Sequence, residues 1–336
     1  MILVTGGTGL VGSHLLYKLT QNHSKIRATY RTQEKVDMAR NVFSYYTDNV
    51  DALFSKIDWV EASLNDIPKL ELAFEGVTHV YHCAALVSFD PGQYHTLRKV
   101  NIEGTANIVN LCVSHQVKRI CYVSSVAATG QSDNGKEITE ETPWNQEADH
   151  SVYAITKYGA ELEIWRGTQE GVPAVIVNPG IIVGPGFWRD SSGSLIRFID
   201  KGLKYYTTAL SGYVDIDDVV DPMIQLMNSS IENERYILVA ENLSFQDFAT
   251  SVSKALNVNP PRKKIKTWQL KLAWRLDWLN AFLRKKRRKL TRQAVYSLTH
   301  DSIYSSEKIK STLNYKFLSL DDSIRKTCGF YTKNRS

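Results

Sequence analysis

Residues 5–12 of the chain read Thr5-Gly6-Gly7-Thr8-Gly9-Leu10-Val11-Gly12 and separate an apolar run at 2–4 from a helical pattern at 10–20. The glycines are spaced as G-x-x-G-x-x-G. One such glycine permits a tight turn, another lets the backbone approach a pyrophosphate, and the third lets helix and strand pack closely. The N-terminus of the helix would offer its unpaired N–H groups and positive dipole end to the phosphates. This stretch predicts the strand–turn–helix of a dinucleotide-binding fold.

Short β-rich runs alternate with helical runs in the first part of the chain. Strands are predicted at 2–4, 26–30, 57–61, 79–83, 119–124 and 174–178, and helices at 10–20, 94–114 and 152–170. This alternation implies parallel strands joined by right-handed crossovers, with ligands at the carboxyl ends of the strands. The predicted fold class is α/β, with a Rossmann-type doubly wound parallel sheet.

The alternation loosens after Gly180, where loop sequences interrupt the pattern. We predict a helix at 217–228, a strand at 236–239 that returns to the sheet, and a helix from a Ser244 cap to near Leu256. The expected result is a Rossmann domain with a smaller, discontinuous C-terminal substrate lobe. The predicted units are 1–180 with 213–242 for the dinucleotide-binding domain, and 181–212 with 243–336 for the lobe.

Composition places the chain among ordinary globular proteins, with 43% hydrophobic and 23% charged residues. Its four cysteines show no C-x-x-C spacing, so we expect reduced, packed thiols and no metal site. The N-terminal residues carry no basic targeting segment, and no apolar run reaches the roughly 18 residues of a spanning helix. These features together favour a cytoplasmic location.

The end of the second predicted strand bears on the choice of nucleotide. Sites for NAD usually place an acid about 20 residues after the glycine turn, where it binds the ribose hydroxyls. Here the strand ends Ala28-Thr29-Tyr30-Arg31, without an acid. Arg31 can pair with a 2′-phosphate and stack on adenine, with help from Lys35. The sequence therefore favours NADP(H), although NAD(H) stays possible as the cofactor. Ser63 and Leu64 are expected near the adenine.

Tyr153 and Lys157 form a Tyr-x-x-x-Lys pair on the predicted helix at 152–170, so both side chains share one face. An unperturbed tyrosine has a pKa near 10, too high for acid–base work at neutral pH. A lysine cation one turn away should stabilise the phenolate and bring the pKa of Tyr153 closer to neutrality. The pair predicts a proton donor or acceptor.

The chain resembles the extended short-chain dehydrogenase/reductase superfamily in the order and spacing of several segments. The matching segments are 5–12, His82-Cys83-Ala84-Ala85, 101–105, Ser124-Ser125, 153–157, 178–186 and 213–219. The resemblance implies that Tyr153 exchanges a proton with the substrate oxygen and that Lys157 binds the nicotinamide ribose. It further implies that Ser125 hydrogen-bonds the substrate oxygen and Tyr153, with Ser124 as the alternative. Asn101 would hold a water in the proton relay.

These considerations define two sets of expected contacts. The cofactor-binding residues are Thr5, Gly6, Gly7, Thr8, Gly9, Leu10, Val11, Gly12, Arg31, Ser63, Leu64, Cys83, Ala84, Ala85, Val123, Tyr153, Lys157, Asn178, Pro179, Gly180 and Ile182. The substrate residues are Ser125 and the apolar or aromatic Val87, Phe89, Ile181, Phe187, Trp188, Tyr205 and Tyr206. A mostly apolar pocket with few polar groups suits an apolar carbonyl or alcohol.

Two positions separate branches of this superfamily. The 4,6-dehydratases place Asp-Glu after the catalytic hydroxyl, where this chain has Val126-Ala127, which cannot supply an acid and a base. The nucleotide-sugar epimerases usually place an Arg just before the segment at 213–219, where this chain has Ser211-Gly212. The nearer resemblance is to dihydroflavonol reductases, aldehyde reductases and 3β-hydroxysteroid dehydrogenases.

The predicted function is therefore an NADP(H)-dependent oxidoreductase that reduces an apolar carbonyl or oxidises the matching alcohol. A nucleotide-sugar epimerase with tightly bound NAD(P) is the alternative, and a non-catalytic redox sensor is a third possibility. The resemblance leaves open a homodimer formed by the helices at 94–114 and 152–170. No nucleic-acid partner is expected, because no aromatic and basic strand platform accompanies the positive charge.

A basic, tryptophan-rich helix is predicted at 268–289. Between Arg262 and Lys289 there are 12 Lys/Arg and one acid, Asp277, so the rest of the chain holds 41 − 12 = 29 Lys/Arg against 35 − 1 = 34 Asp/Glu. Tryptophan beside clustered cations is typical of a helix at a membrane surface. The competing interpretation is a lobe helix that packs on the substrate pocket, followed by a solvated basic loop.

Overall fold

The computed structural model describes residues 1–131, 135–189, 193–284 and 290–335. Its strands are β1 Ile2–Thr5, β2 Ile26–Tyr30, β3 Ile57–Glu61, β4 His79–His82, β5 Arg119–Val123, β6 Ala174–Pro179, β7 Ile181–Val183, β8 Tyr205–Tyr206, β9 Leu210–Asp215, β10 Glu234–Leu238, β11 Glu241–Ser244 and β12 Lys263–Lys264. Seven of them form one parallel sheet in the order β10-β6-β5-β4-β1-β2-β3. This order confirms the predicted Rossmann-type doubly wound sheet.

The middle of the sheet is covered on both faces. Every residue of β5 and β6 is buried, which explains why these strands read as apolar runs instead of alternating patterns. Their register pairs Tyr122 with Ile176 and Val123 with Val177. The chain moves outward from β1 to β3 and then returns to β4 on the other side of β1. The switch in strand order therefore lies between β1 and β4, where such sheets bind ligands.

Helices cover both faces of the sheet. They are α1 Leu10–Asn22, α2 Gln33–Phe43, α3 Val50–Phe54, α4 Ile67–Phe74, α5 Tyr94–Leu97, α6 Gly104–Ser114, α7 Val152–Gln169, α8 Gly193–Asp200, α9 Asp217–Asn228, α10 Phe245–Leu256, α11 Thr267–Arg284, α12 Arg292–Ser297, α13 Glu307–Leu313 and α14 Leu320–Arg335. One apolar core contains residues of α1, α2 and α9, and a second contains residues of α4, α6 and α7. The sheet between the two cores is thus enclosed, as parallel sheets require.

The long helix predicted at 94–114 is not a continuous α-helix. A π-helical turn, Arg98–Glu103, joins α5 to α6. It contains Asn101, whose amide nitrogen donates to Leu86 O at 3.0 Å and to Thr156 Oγ1 at 3.1 Å. A wider turn re-aims the side chains that it carries, and such turns are frequent at functional sites. Periodicity alone does not distinguish this turn from an α-helical one.

A smaller lobe is built from the sheet β11-β9-β7 and the helices α8, α10 and α14, around a core of its own. In that core the rings of Tyr213 and Phe248 stack with centroids 4.7 Å apart. Strand β9 crosses the predicted boundary at residue 213 and joins the lobe to the Rossmann domain. The domain limits themselves stay a prediction. Of the helix predicted at 268–289, α11 ends at Arg284, and 285–289 lie outside the described residues.

Candidate active site

The glycine turn folds tightly against the end of β4. Gly6 has a φ of +69°, and a Cβ there would lie 2.6 Å from the Ala84 Cα. A Cβ on Gly12 would run into the backbone of Gly6, whose carbonyl accepts from Gly9 N at 3.0 Å. Larger residues at these positions would collide with the backbone, so the turn has the steric requirement for glycine that the pattern predicts.

A groove runs from this turn to the ends of β2 and β3. It is lined by predicted cofactor residues, namely Gly6, Thr8, Gly9, Leu10, Arg31, Ser63, Leu64, Cys83, Ala84 and Ala85, and by Lys35. Sequence reasoning missed further lining residues, namely Thr29, Tyr30, Ala62, Asn65 and Val100. Their positions beside Arg31, Ser63 and Asn101 were the available signal, since they flank residues already chosen. The groove connects the glycine turn to Arg31 and Ser63, so it covers the predicted phosphate and adenosine side of the dinucleotide site.

Some residues of the glycine turn serve packing. The Thr5 hydroxyl is fully buried and lies 2.6 Å from His82 Nδ1, so its side chain packs inside the protein. Gly7 faces Leu16 and Ala28, where a Cβ would be crowded. Burial lowers the pKa of His82 to about 3, which keeps the ring neutral. These residues hold the turn against the sheet.

Tyr153 begins the site that lies past the ends of β5 and β6. Ser151 caps α7 by accepting from Ala154 N at 3.1 Å, which fixes the first turn that carries Tyr153. The Tyr153 ring packs edge-on against Phe89 with centroids 5.5 Å apart. Burial raises the pKa of Tyr153 to about 12, and the nearby Ser125 hydroxyl partly opposes that shift. The phenol is therefore protonated at neutral pH.

The structure distinguishes the two candidate serines. Ser125 lies close enough to Tyr153 to lower the pKa of the phenol, and its Oγ accepts from Ala127 N at 3.1 Å. Ser124 is buried, and its hydroxyl has no hydrogen-bond partner among the described residues. Ser125 is thus the serine placed beside the phenol, as predicted, and Ser124 belongs to the wall behind it.

Lys157 does not act on Tyr153 in the way the sequence predicts. Its ammonium donates to the Tyr122 hydroxyl at 2.5 Å and to Val123 O at 2.9 Å. Burial lowers the pKa of Lys157 to about 7, although the Glu161 charge raises it. The expectation that Lys157 brings the pKa of Tyr153 toward neutrality is wrong for the ligand-free protein. Burial makes the charged, phenolate form of Tyr153 unfavourable, which raises the pKa of the phenol. The Lys157 ammonium is hydrogen-bonded to Tyr122 and Val123 of β5.

Glu161 is a buried carboxylate that sequence reasoning missed. It follows Lys157 by four residues on the same face of α7, and that spacing was the available signal. Its Oε1 accepts from Asn178 Nδ2 at 2.6 Å, and its Oε2 lies 3.4 Å from the Arg235 guanidinium. Burial raises the pKa of Glu161, and the hydrogen bond from Asn178 and the charge of Arg235 oppose that shift. The carboxylate forms the floor under Lys157.

Asn101 and Asn178 act through the backbone near the site. The Asn101 carboxamide is buried and exchanges hydrogen bonds with both backbone groups of Leu86, so it fixes the loop that carries Val87 and Phe89. Both N–H groups of the Asn101 carboxamide have protein acceptors. Its role in holding a relay water stays a prediction. Asn178 Nδ2 donates to Ser125 O at 3.0 Å and so fixes the serine loop.

The other cofactor residues predicted at the end of β6 lie beside Ser125. Pro179 ends β6, and Ile182 pairs with Val214 across β7 and β9. Gly180 touches the Gly212 backbone so closely that a Cβ would not fit. These residues shape the wall of the site through their backbone.

The predicted substrate residues separate into three places. Val87 and Phe89 are half exposed, 51% each, and Phe89 covers Tyr153. Phe187 is buried and lines the nucleotide groove, and Ile181 packs in the lobe core. The Trp188 ring packs against Tyr331 in the lobe with centroids 5.1 Å apart, and its assignment to the substrate stays a prediction.

Tyr205 and Tyr206 form β8, which pairs with β12 in the lobe.

The cysteines are unpaired, and burial raises the pKa of Cys83 to about 12, so its thiol is protonated. The described residues contain no group of three or more His, Cys, Asp or Glu placed to hold a metal ion. None of the described helices has the length and apolarity needed to cross a membrane.

Comparison with known proteins agrees with this geometry. The NAD dependent epimerase/dehydratase family matches residues 2–239. The chain is 30% identical over 278 residues to the "Putative dihydroflavonol 4-reductase" of Synechocystis sp., covering 81% of this chain and 77% of that protein. It is 26% identical over 281 residues to a UDP-glucose 4-epimerase of Vibrio cholerae, covering 80% and 77%. The solved structure of gox2253 superposes with a TM-score of 0.82 at 26% identity, covering 99% of this chain and 98% of that chain.

Proposed function

The chain belongs to the NAD dependent epimerase/dehydratase family, and from that premise we propose that it is an NADP(H)-dependent reductase of apolar aldehydes or ketones. It is an enzyme of the extended short-chain dehydrogenase/reductase class, an oxidoreductase fold that binds NAD(P). The reverse reaction, oxidation of the matching alcohol, uses the same groups. What the proposal adds is the direction, the nucleotide and the chemical class of the substrate.

The observation that carries the proposal is the protonated phenol of Tyr153, which lies beside Ser125 and packs against Phe89. A pKa near 12 keeps the proton on Tyr153 at neutral pH, which is the state required of an acid. Phe89 and Val87 at the opening are apolar, so they favour a substrate with an apolar group next to its carbonyl. Both features suit carbonyl reduction.

The site residues fit the following chemistry. A carbonyl oxygen placed beside Tyr153 and Ser125 would accept hydrogen bonds from both hydroxyls. When bound, the cofactor supplies a hydride from its nicotinamide ring. The electron pair released from the C=O bond collects on the oxygen, and Tyr153 transfers its proton there, which yields the alcohol and a phenolate. In the ligand-free protein the Lys157 ammonium, one turn along α7, is bonded to the Tyr122 hydroxyl and Val123 O, so its stabilisation of that phenolate is a further part of the proposal.

The nucleotide preference is supported by the groove. Arg31 and Lys35 line it at the end of β2, and no carboxylate pairs with Arg31 among the described residues. The guanidinium therefore remains available for the 2′-phosphate of NADP(H). Glu61, at the end of β3, is held by Lys69 at 2.8 Å, so it does not take the place of a ribose-binding acid.

A nucleotide-sugar epimerase is the second candidate, because one of the similar proteins carries that name. Against it, the position where such epimerases carry an arginine is Gly212 or Ser211. A Cβ on Gly212 would lie 2.7 Å from Val239 and 2.9 Å from Tyr304, so no long side chain fits there. A sugar diphosphate would lack that cation.

The proposed function is tested by a screen of aliphatic and aromatic aldehydes, ketones and sterols that follows the absorbance of NADPH. We expect stoichiometric oxidation of NADPH with at least one apolar carbonyl. An epimerase would instead interconvert UDP-sugars with no net consumption of the nucleotide. Epimerisation without NADPH oxidation by any of the carbonyls would overturn the reductase proposal.

Glu161→Gln tests the buried carboxylate as a positioning residue. The Glu161 charge raises the pKa of Lys157, so its removal should lower that pKa further below about 7. The ammonium is present below its pKa, and we therefore expect the alkaline limb of the kcat/KM profile to move to lower pH by about one unit. The measurement is the pH profile of carbonyl reduction, together with thermal unfolding.

The matched control is Glu163→Gln on the same helix, where Glu163 pairs with Arg166 at 2.8 Å on the surface. It should leave the profile in place. Glu161→Asp, which keeps the charge, should restore most of the wild-type profile. If Glu161→Gln lowered stability alone and left the alkaline limb unmoved, Glu161 would be a purely structural residue.

A further inference from the structure

Helix α11 presents a row of apolar side chains on its outer face. Trp268, Leu272 and Leu276 are 61%, 49% and 57% exposed. Their spacing of four residues places them on one face of the helix. Leu270, on the opposite face, is only 6% exposed. One side of α11 is therefore bound to the protein while the other carries an apolar stripe with no cover among the described residues.

Positive charge surrounds this stripe. Six cations of the segment are exposed, namely Arg262, Lys263, Lys264, Lys266, Lys271 and Arg275. The single acid of the segment, Asp277, is half buried, and its carboxylate accepts from Leu290 N at 3.1 Å. Outside 262–289 the chain carries more acids than cations. The surface thus combines apolar and cationic groups in one place on an otherwise acidic protein.

The chemistry of this surface selects one kind of partner. The cations require anionic groups, and Leu272 and Leu276 require an apolar phase. A phosphodiester backbone provides the first requirement without the second, since aliphatic side chains gain little from it. A bilayer with anionic headgroups provides both, with phosphates at the surface and acyl chains a few ångströms below.

We propose that α11 is an interfacial helix that binds the protein to an anionic lipid surface. Trp268, Leu272 and Leu276 enter the boundary between headgroups and acyl chains, and the helix lies in the plane of the surface. Lys271 and Arg275 flank the stripe and extend their charged ends to the lipid phosphates, while their aliphatic parts lie along the apolar boundary.

The position of α11 connects this surface to the active site. Helix α11 packs against α12, whose Arg292 and Gln293 contact the Asp149 carboxylate at 3.3 Å and 3.1 Å. Asp149 precedes the N-terminus of α7, the helix that carries Tyr153. Bound lipid would therefore lie beside the loop that leads into the site. This consequence, access of a membrane-dissolved substrate, rests on the proposed function, whereas the binding itself does not.

The test is co-sedimentation of the full chain with phosphatidylcholine vesicles, with and without phosphatidylserine, and without nucleotide or carbonyl substrate. We expect binding to the anionic vesicles that weakens as salt is added. The triple variant Trp268→Ser/Leu272→Ser/Leu276→Ser should bind the anionic vesicles at least about tenfold more weakly than the wild type. Lys263→Glu/Lys264→Glu should also lose about tenfold or more.

Two control variants match these changes elsewhere on the surface. Leu72→Ser removes an apolar side chain that is 59% exposed on α4, and Lys316→Glu reverses an exposed charge after α13. Both should bind like the wild type. No binding to anionic vesicles at low salt would overturn the proposal, as would equal losses in the controls. Self-association that the triple variant abolishes, or binding of RNA in place of vesicles, would assign the surface to another partner and overturn it too.

Discussion

Tyr153→Phe is expected to lower kcat for carbonyl reduction by about 10²- to 10⁴-fold, the usual contribution of a general acid. The variant keeps the ring that packs against Phe89 and loses only the phenol hydroxyl, which is the proposed proton donor beside Ser125. Affinity for NADPH and the temperature of unfolding should change little, since no part of the glycine turn is affected. The measurement is steady-state NADPH oxidation with the best carbonyl from the screen.

Tyr158→Phe is the matched control on the same helix. The Tyr158 ring stacks on Trp144 with centroids 4.3 Å apart, away from Ser125. Removal of its hydroxyl should leave kcat within about twofold, as surface changes usually do. If Tyr153→Phe kept a tenth or more of the wild-type kcat, the phenol would not be the proton donor. If it also left cellular function untouched, a non-catalytic sensor would become the better interpretation.

The pH dependence of the wild type follows from the same groups. A pKa near 12 leaves the Tyr153 proton in place throughout the neutral range. Lys157, with its pKa lowered to about 7, changes charge within that range. On the alkaline side of the pH profile, the rate of reduction should therefore fall as Lys157 loses its proton. Glu161→Gln is expected to move this alkaline limb.

The fold was predictable because its decisive signals are local. The glycine turn depends on the steric need for small residues beside Ala84, and the buried strands β5 and β6 appear as apolar runs in the sequence. The π-helical turn at Arg98–Glu103 was not predictable, since its sequence is compatible with an α-helix. It depends on the bonds from Asn101 to a distant loop and to α7, which only the folded chain brings together.

The site was predictable in its members and less so in its electrostatics. The spacing of Tyr153 and Lys157 is a property of one helix, whereas the direction of their pKa shifts depends on β5. The sequence predicts that the Lys157 ammonium interacts with the Tyr153 phenol, but in the structure it is hydrogen-bonded to Tyr122. Burial then keeps Tyr153 protonated. Phe187 and Trp188 illustrate the same limit, because adjacent residues of one loop point to the groove and to the lobe core.

Arg31→Glu is expected to reverse the choice of nucleotide. The change removes a charged partner of the 2′-phosphate and introduces a carboxylate that can accept from both ribose hydroxyls of NADH. Charged hydrogen bonds contribute about 1.5–3 kcal/mol each, so the Kd for NADPH should rise by about 100-fold while that for NADH falls. Direct titration of the protein with each nucleotide, without any carbonyl substrate, measures both values.

Lys25→Glu provides the matched control for Arg31→Glu. Lys25 lies just before β2, at the opposite end of the strand from Arg31, and it is exposed and outside the groove. It alters the net charge of the protein by the same amount, so any general electrostatic attraction of NADPH is reduced equally in both variants. A selective loss in Arg31→Glu therefore reports contact with the 2′-phosphate. Tighter binding of NADH than of NADPH by the wild type would contradict the assignment of Arg31, and the hydride chemistry at Tyr153 would then proceed with NADH.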